Sequence, residues 1–164
     1  MRYFEDLVLG EQVQFEGEYV VTEEEIIEVG RRWDPQPFHI DPVAARDSLF
    51  GGLVASSAHI FSIWVSFGHA EIDKDKNTAS VSALGFNNLQ WHSPVRPNDV
   101  LKCRYLATEV RKSKSRPNLG VVTNLCTVTN QRDEEVFTLD CSFLVPTRDY
   151  EKALESENGT ISDG

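Results

Sequence analysis

An acid and a base stand five residues apart in the segment DPQPFH, Asp34 to His39. A carboxylate beside an imidazole raises its basicity, and both groups can hydrogen-bond one water, as acid–base chemistry requires. Pro35 and Pro37 each bias the preceding residue toward extended backbone, which predicts a stiff, extended turn and not a regular helix. Because five extended residues span at most ~18 Å, the two side chains meet only if this turn curls.

The same segment has a second interpretation when it is taken alone. Asp and His are common in proline-containing loops, where Asp34 would cap a local turn and His39 would make a surface hydrogen bond. One such pair in one loop does not separate the two interpretations. The elements around the segment are therefore needed to decide between them.

Helices are predicted on both sides of the segment. Thr22 followed by Glu25 is a capping box that opens one helix, and Asp41–Pro42 is the start of a second, short one. Residues 53–69 are predicted to form one long helix, mostly buried because its apolar side chains cover more than one face.

Strands are predicted at residues 12–21, interrupted at Gly17, and throughout the second half of the chain. The later runs are rich in β-branched residues or alternate polar with apolar ones, with a hairpin turn at 130–134 before the last of them. These later strands are predicted at 79–91, 100–110, 119–130 and 137–145. One long helix against about five mostly antiparallel strands gives an α+β class. We expect one domain over residues 1–147 and an acidic, flexible tail over 148–164.

Composition narrows the class of function. The 164 residues carry a formal net charge of −10, which argues against a nucleic-acid or anionic-membrane partner. No run of about 18 apolar residues is present, and the first residues lack the pattern of a signal peptide. Cys103, Cys126 and Cys141 are an odd, scattered set without a C-x-x-C motif. This set predicts buried, reduced thiols in a cytoplasmic protein, with neither a disulfide framework nor a zinc site.

The segment Asp34 to His39 resembles a known signature: Asp, any residue, Asn, Pro, an apolar residue, then His. That signature belongs to MaoC-like acyl dehydratases, the family of (R)-specific enoyl-CoA hydratases. FGGLVASSAH, Phe50 to His59, is similar to the turn that starts the family's central helix, and the resemblance extends over roughly residues 5–147. It implies a hotdog fold, in which a curved, mostly antiparallel sheet wraps a long central helix, and it implies a homodimer or higher homo-oligomer.

The resemblance also implies an activity, the reversible hydration of a trans-2-enoyl-CoA to a (R)-3-hydroxyacyl-CoA. Asp34 and His39 would activate one water, and backbone N–H groups would face the negative charge that develops on the thioester oxygen. By position in the motif, Ser57 supplies that donor, and Gln36 and Gly52 belong to the same substrate-binding set. Coenzyme A arrives with the substrate, so no metal and no separate cofactor is expected.

Two of these positions depart from the family pattern, because Gln36 replaces an Asn and Ser57 replaces a Gly. Both differences are expected to change which acyl group the site accepts, and to leave the proton chemistry unchanged. Coenzyme A carries phosphates, and the basic residues of this acidic chain are candidates to bind them, the alternative being a solvated strand end. These candidates are Arg96, Arg111, Lys112, Lys114 and Arg116.

Two other functions stay open. The first is an acyl-CoA thioesterase on the same fold, since a fold does not dictate a reaction. Such enzymes usually carry a carboxylate on the long helix, and residues 53–68 contain none. The second is a non-catalytic acyl-CoA-binding protein. His59, on the predicted long helix, is expected to be a buried histidine with satisfied hydrogen bonds, the alternative being an approach to the site.

Overall fold

An antiparallel sheet packed against one face of a helix forms the body of the protein. The prediction that this helix is mostly buried is wrong, because five of the eleven residues of Ser57–Phe67 are exposed. The computed structural model describes residues 1–68 and 77–150. Besides a single 3₁₀ turn at Phe4–Asp6, the helices are α1 (Glu23–Trp33), α2 (Pro37–Ile40), α3 (Pro42–Arg46) and α4 (Ser57–Phe67). The strands are β1 (Gln12–Gln14), β2 (Tyr19–Val20), β3 (Ser82–Trp91), β4 (Val100–Lys112), β5 (Leu119–Thr129) and β6 (Glu135–Pro146).

The described sheet has six strands in the order β1-β4-β5-β6-β3, with β2 paired to β4 as well. Every pairing between these strands is antiparallel. The turn between β5 and β6 is closed by the Asn130 N–H, which donates to the Glu134 carbonyl, and Asp133 takes a positive φ of 59° there. The predicted α+β class and hairpin turn are thus confirmed, and the sixth strand is the two-residue β2.

Helix α4 forms the core against the sheet. Ile60, Ile63 and Phe67 are buried along the helix and belong to one cluster with the inner face of the sheet. The fully buried ring of Phe137, on β6, lies 6.4 Å from the ring of Trp64, on α4. The helix is therefore fixed to the sheet by large apolar contacts, which at ~25 cal/mol per Å² dominate the stability of such a layer.

The long helix begins later than predicted. Its first residue is Ser57, not Leu53, because residues 53–56 form an extended, buried arm. In that arm the Val54 N–H donates to the Phe38 carbonyl and the Ala55 N–H to the Val95 carbonyl. Because these N–H groups donate to distant segments and not to carbonyls of the preceding turn, residues 53–56 cannot be helical. The helix ends at Phe67, and residue 69 lies outside the described residues.

The N-terminal strand is divided at Gly17, as the interruption predicts. Gly17 has a φ of +97°, a backbone conformation that side-chain-bearing residues avoid, and β1 and β2 lie on either side of it. Both pieces pair with β4, at Leu106 for Gln12 and at Leu101 for Tyr19. They therefore lie end to end along one edge of the sheet.

The chain continues to pack beyond residue 147. Arg148 contacts Asp6, and Tyr150 packs against the small buried cluster of Leu119, Val121 and Leu144. Residues 151–164, the rest of the predicted tail, lie outside the described residues, so the boundary at 147 stays a prediction.

The three cysteines are free, and Cys103 and Cys126 are buried while Cys141 is partly exposed. Burial raises the pKa of all three thiols, to about 12 for Cys126. A thiol that stays protonated near neutral pH is a poor nucleophile and a poor metal ligand. Within residues 1–68 and 77–150, no helix has the length and apolar character needed to cross a membrane.

Phe137→Ala tests the central contact between helix and sheet. Its ring contacts the rings of Phe61, Trp64 and Trp91, so truncation leaves a cavity. We expect the free energy of unfolding to fall by about 3–5 kcal/mol in urea titrations. Leu49→Ala, at a side chain 98% exposed, is the control and should change it by less than about 0.5 kcal/mol. Equal effects in the two variants would contradict this core.

Candidate active site

Helix α1 positions Asp34 at its C-terminal end. The Thr22 hydroxyl accepts the Glu25 N–H and caps the helix start, while Arg31 and Arg32 lie in the last turn, where cations complement the helix dipole. Asp34 is the C-terminal cap, and its N–H donates to the Gly30 carbonyl. The helix ends there because the proline that follows Asp34 disfavours helical backbone at that residue.

His39 lies on α2, a single turn of helix, so the prediction of an extended turn over the whole segment is wrong in its second half. The backbone is extended at Gln36, and Pro37 then occupies the first helical position. Proline is well suited to that position because its missing N–H has no partner there anyway and its fixed φ matches the helix. The helical turn of α2 shortens the segment, so that the side chains of Asp34 and His39 can meet.

Asp34 and His39 meet side by side. The His39 Nε2 atom lies 3.4 Å from an Asp34 carboxylate oxygen, with the imidazole 8% exposed and the carboxylate 39% exposed. On the other side of the ring, Nδ1 lies 2.7 Å from the Val54 carbonyl oxygen. A carbonyl can only accept, so in the neutral ring the proton is on Nδ1 and Nε2 presents a lone pair.

This tautomer determines what the pair can hold. A neutral Nε2 and a carboxylate oxygen are both acceptors, and a water beside them can donate one hydrogen to each. The oxygen of that water then has its lone pairs directed away from the protein groups. Such an arrangement orients a water as a nucleophile and provides a base for its proton.

The spacing of α1 and α2 depends on Gly30. A Cβ built at Gly30 would lie 2.7 Å from the His39 carbonyl oxygen and 3.0 Å from the His39 Cβ. Only a residue without a side chain permits this approach. The C-terminal half of α1 therefore packs directly against the backbone that carries the imidazole.

The first turn of α4 faces outward and follows directly after the arm that contacts His39. The Ser56 hydroxyl accepts the His59 N–H, whereas the N–H groups of Ser57 and Ala58 have no acceptor among the described residues, and both residues are exposed. Ser57 is three residues from Val54, so its N–H lies within about 11 Å of the carbonyl that holds His39. Free N–H groups at a helix N-terminus favour a negative oxygen.

Gly52 and Arg96 contact each other at the start of the arm of residues 53–56. The Arg96 guanidinium donates to the Phe50 carbonyl at 2.6 Å, and a Cβ at Gly52 would lie 3.3 Å from the same guanidinium. Arg96 therefore supports the segment that leads to α4. Gln36 is exposed, and its side chain makes no hydrogen bond to the described residues, although its N–H donates to the Asp34 carbonyl.

The other basic candidates lie elsewhere in the single chain. β4 begins beside the corner that carries Arg96, and Arg111 lies about 36 Å further along the strand at ~3.3 Å per residue. Arg111 pairs with Glu109, and Lys112, Lys114 and Arg116 are exposed in the same region. No hydrogen bond or ion pair joins this patch to Asp34 or His39 among the described residues, and its role stays a prediction.

His59 belongs to a second cluster that the sequence did not reveal. The ring is 2% exposed, and neither ring nitrogen has a hydrogen-bond partner among the described residues, so the expected satisfied histidine is not found. Its Nε2 lies 3.3 Å from a carboxylate oxygen of Glu25, which also accepts from the Tyr19 hydroxyl. The capping-box pattern indicated a different role for Glu25, as partner of the Thr22 N–H. Nothing in the spacing of these three residues marks them as neighbours.

In the described part of the chain, no group of three or more His, Cys, Asp or Glu side chains has the arrangement that a metal ion needs. Two groups, Asp34 and His39, are too few for the four ligands of a structural zinc site.

The arrangement defines a class of protein, with a hotdog-type sheet around a central helix and an acid–base pair beside the arm that leads into that helix. A family model described as "MaoC like domain" matches residues 6–130. The chain belongs to the MaoC-like dehydratase family, and at that level it is a hydratase or dehydratase. This confirms the family indicated by the segment Asp34 to His39.

Similar proteins agree with this assignment. A MaoC-like dehydratase from Rhodospirillum rubrum is 32% identical, with a TM-score of 0.80 over 90% of this chain and 99% of that one. An (R)-hydratase from A. caviae, involved in PHA biosynthesis, has a TM-score of 0.66 over 87% of this chain and 99% of that one. At 17% identity it supports the fold alone. An uncharacterized protein YdeM from Bacillus subtilis (strain 168) is 28% identical over 76% of this chain and 86% of its own length.

Gly30→Ala tests the contact between α1 and α2. The added methyl group would collide with His39 backbone, so we expect the free energy of unfolding to fall by about 1–3 kcal/mol. Urea titration measures it. Gly68→Ala is the matched control, because its Cβ would meet its nearest neighbour at an ordinary 3.4 Å. An unchanged stability in Gly30→Ala would contradict the close packing described here.

Proposed function

We propose that this protein catalyses the reversible hydration of a trans-2-enoyl-CoA to a (R)-3-hydroxyacyl-CoA. The single observation that carries the proposal is the His39 ring, held by Val54 at Nδ1 so that Nε2 faces Asp34 at 3.4 Å. The arm that carries Val54 leads directly into α4, whose first two residues are exposed. An acid–base pair next to free N–H donors suits addition of water to a conjugated thioester.

In the proposed mechanism His39 is the base and Asp34 the orienting group. An imidazole is by type better suited than a carboxylate to accept and return a proton near neutral pH. As the water oxygen bonds to C3, its proton passes to Nε2, and the C2=C3 electron pair shifts toward the thioester carbonyl. The same proton then moves from Nε2 to C2, on the face that the water attacked. Asp34 holds the second hydrogen of the water and stabilises the imidazolium.

The charge that builds up on the thioester oxygen needs donors that are already in place. The N–H groups of Ser57 and Ala58 supply them in this proposal, reinforced by the dipole of the eleven-residue α4. Because a backbone donor does not depend on the side chain, Ser57 can replace a glycine in this role. Its hydroxymethyl group instead narrows the space for the acyl chain.

We propose that coenzyme A binds near the arm of residues 53–56. Among the predicted cations Arg96 is nearest to the arm, but its guanidinium already donates to Phe50. The exposed cations at 111–116 stay the other candidates for the phosphates of coenzyme A. The proposal needs no metal and no separate cofactor, and a cytoplasmic location fits three free cysteines.

We further propose that two copies pair through β3. This ten-residue strand hydrogen-bonds only to β6 among the described strands, so its other edge offers unpaired backbone groups. Leu84, Phe86 and Trp91 on it are 43–53% exposed. A long, apolar edge strand is a strong template for pairing with another strand, and an identical copy covers it symmetrically.

Asp34→Asn and His39→Gln test the mechanism. Each removes the acid–base function and retains much of the shape, so we expect kcat for hydration of crotonyl-CoA to fall at least about 100-fold. The loss of enoyl-thioester absorbance measures the rate. Asp41→Asn, at the exposed cap of α3, is the matched control and should retain kcat within about twofold.

The same assay separates the other functions. A thioesterase would release free coenzyme A thiol from acyl-CoA, and an acyl-CoA-binding protein would bind the substrate and leave it unchanged. Absence of hydration with crotonyl-CoA and with longer or branched enoyl-CoAs would reject the hydratase proposal. Unchanged activity in both Asp34 and His39 variants would reject the pair.

The molecular mass of the protein in solution tests whether two copies of the chain pair. Sedimentation equilibrium should give twice the 18.5 kDa of one chain. Leu84→Lys places a charge on the β3 edge and should shift the mass toward one chain. Leu49→Lys, at a side chain that is 98% exposed and is not part of β3, should leave the mass unchanged. A single-chain mass for the unmodified protein would contradict the proposed dimer.

A further inference from the structure

His59 is buried in an unusual state. Its side chain is 2% exposed, yet neither ring nitrogen makes a hydrogen bond of good geometry within residues 1–68 and 77–150. A Glu25 carboxylate oxygen lies 3.3 Å from its Nε2. Buried polar groups are nearly always satisfied, so an exception in a family with an acid–base site calls for a physical reason.

Glu25 links three elements at this point. It belongs to the first turn of α1, accepts from the Tyr19 hydroxyl on β2, and faces His59 on α4. Burial and the bond to Glu25 raise the pKa of Tyr19 to about 12. The phenol therefore stays protonated and remains a donor to the carboxylate over the whole neutral range. Glu25 is thereby held in place from the β2 side.

The cluster joins the first turn of α1, which leads to Asp34, to the first turn of α4, which carries the free N–H groups. His59 is two residues after Ser57, in the first turn of α4, and its N–H donates to the Ser56 hydroxyl that caps this turn. Glu25 lies about 13.5 Å along α1 from Asp34, at 1.5 Å per residue. Each helix is short and rigid, so moving its first turn also moves the catalytic groups that it carries.

We propose that Glu25 and His59 are positioning residues, whose contact sets the distance between the Asp34–His39 pair and the N–H donors of α4. This inference rests on the proposed hydratase function. Without the contact, α1 and α4 would still pack through their apolar faces, but the donors and the water would be less well aligned. Misalignment of about 1 Å is enough to slow a reaction about 100-fold while leaving substrate binding nearly intact.

The two histidines should then carry their protons on opposite nitrogens. Nε2 of His59 faces a carboxylate and Nδ1 has no acceptor among the described residues, so a neutral ring there has its proton on Nε2. His39 has the reverse assignment, because Nδ1 faces the Val54 carbonyl. Nitrogen NMR of the imidazole rings distinguishes these forms directly, without any assay of activity.

Glu25→Ala and His59→Phe are the test variants, with crotonyl-CoA hydration as the readout. We expect kcat to fall at least about tenfold in each, with KM changed less than about threefold. Glu25→Gln retains an oxygen that can accept from Tyr19 and His59, and should recover kcat to within about threefold. Glu24→Gln, at the exposed neighbour on α1, is the matched control and should leave kcat unchanged.

Other results would overturn the inference. Folded Glu25→Ala and His59→Phe with unchanged kcat would do so, as would a loss of kcat that only follows the folded fraction in urea titrations. If His59→Phe does not fold, the NMR measurement on the unmodified protein decides, and a His59 ring with its proton on Nδ1 alone rejects the proposal. If the unmodified protein hydrates no enoyl-CoA, the proposed function fails, while the NMR result still tests the contact.

Discussion

The hydrogen bond between the His39 ring and the Val54 carbonyl is the constraint on which the site depends. It brings a segment after α1 against the arm before α4, and the Val54 N–H returns a bond to the Phe38 carbonyl. Because this bond occupies Nδ1, it leaves Nε2 to face Asp34. The extended arm, the late start of α4 and the outward direction of its first N–H groups all follow from the same pairing of backbone.

Much of this could be predicted from local sequence. Thr22 marks the start of α1, Asp41 with its proline marks the start of α3, and the alternation in the last strand identifies β6. The pair Asp34 and His39 was recognised because both residues lie in one short segment with a distinctive spacing. Such features depend on neighbours in the chain, which is the information that a sequence presents directly.

The remainder depends on contacts between distant segments. The arm of residues 53–56 is apolar enough to continue a helix, and only bonds to Phe38 and Val95 make it extended. Likewise, α2 forms because Pro37 fits a first helical position, although its effect on the preceding residue suggested an extended turn. The cluster around Glu25 joins residues from three elements, so no periodicity or motif could indicate it.

The chain order of these contacts has a thermodynamic consequence. The bond between His39 and Val54 closes a loop of 15 residues, whereas the pairing of Ser82 with Leu144 closes one of 62. Since the entropy of loop closure grows with the logarithm of length, the shorter loop costs about 1.2 kcal/mol less. The groups that would do the chemistry are thus gathered by near neighbours in the chain, and the distant strands serve as the platform that holds them.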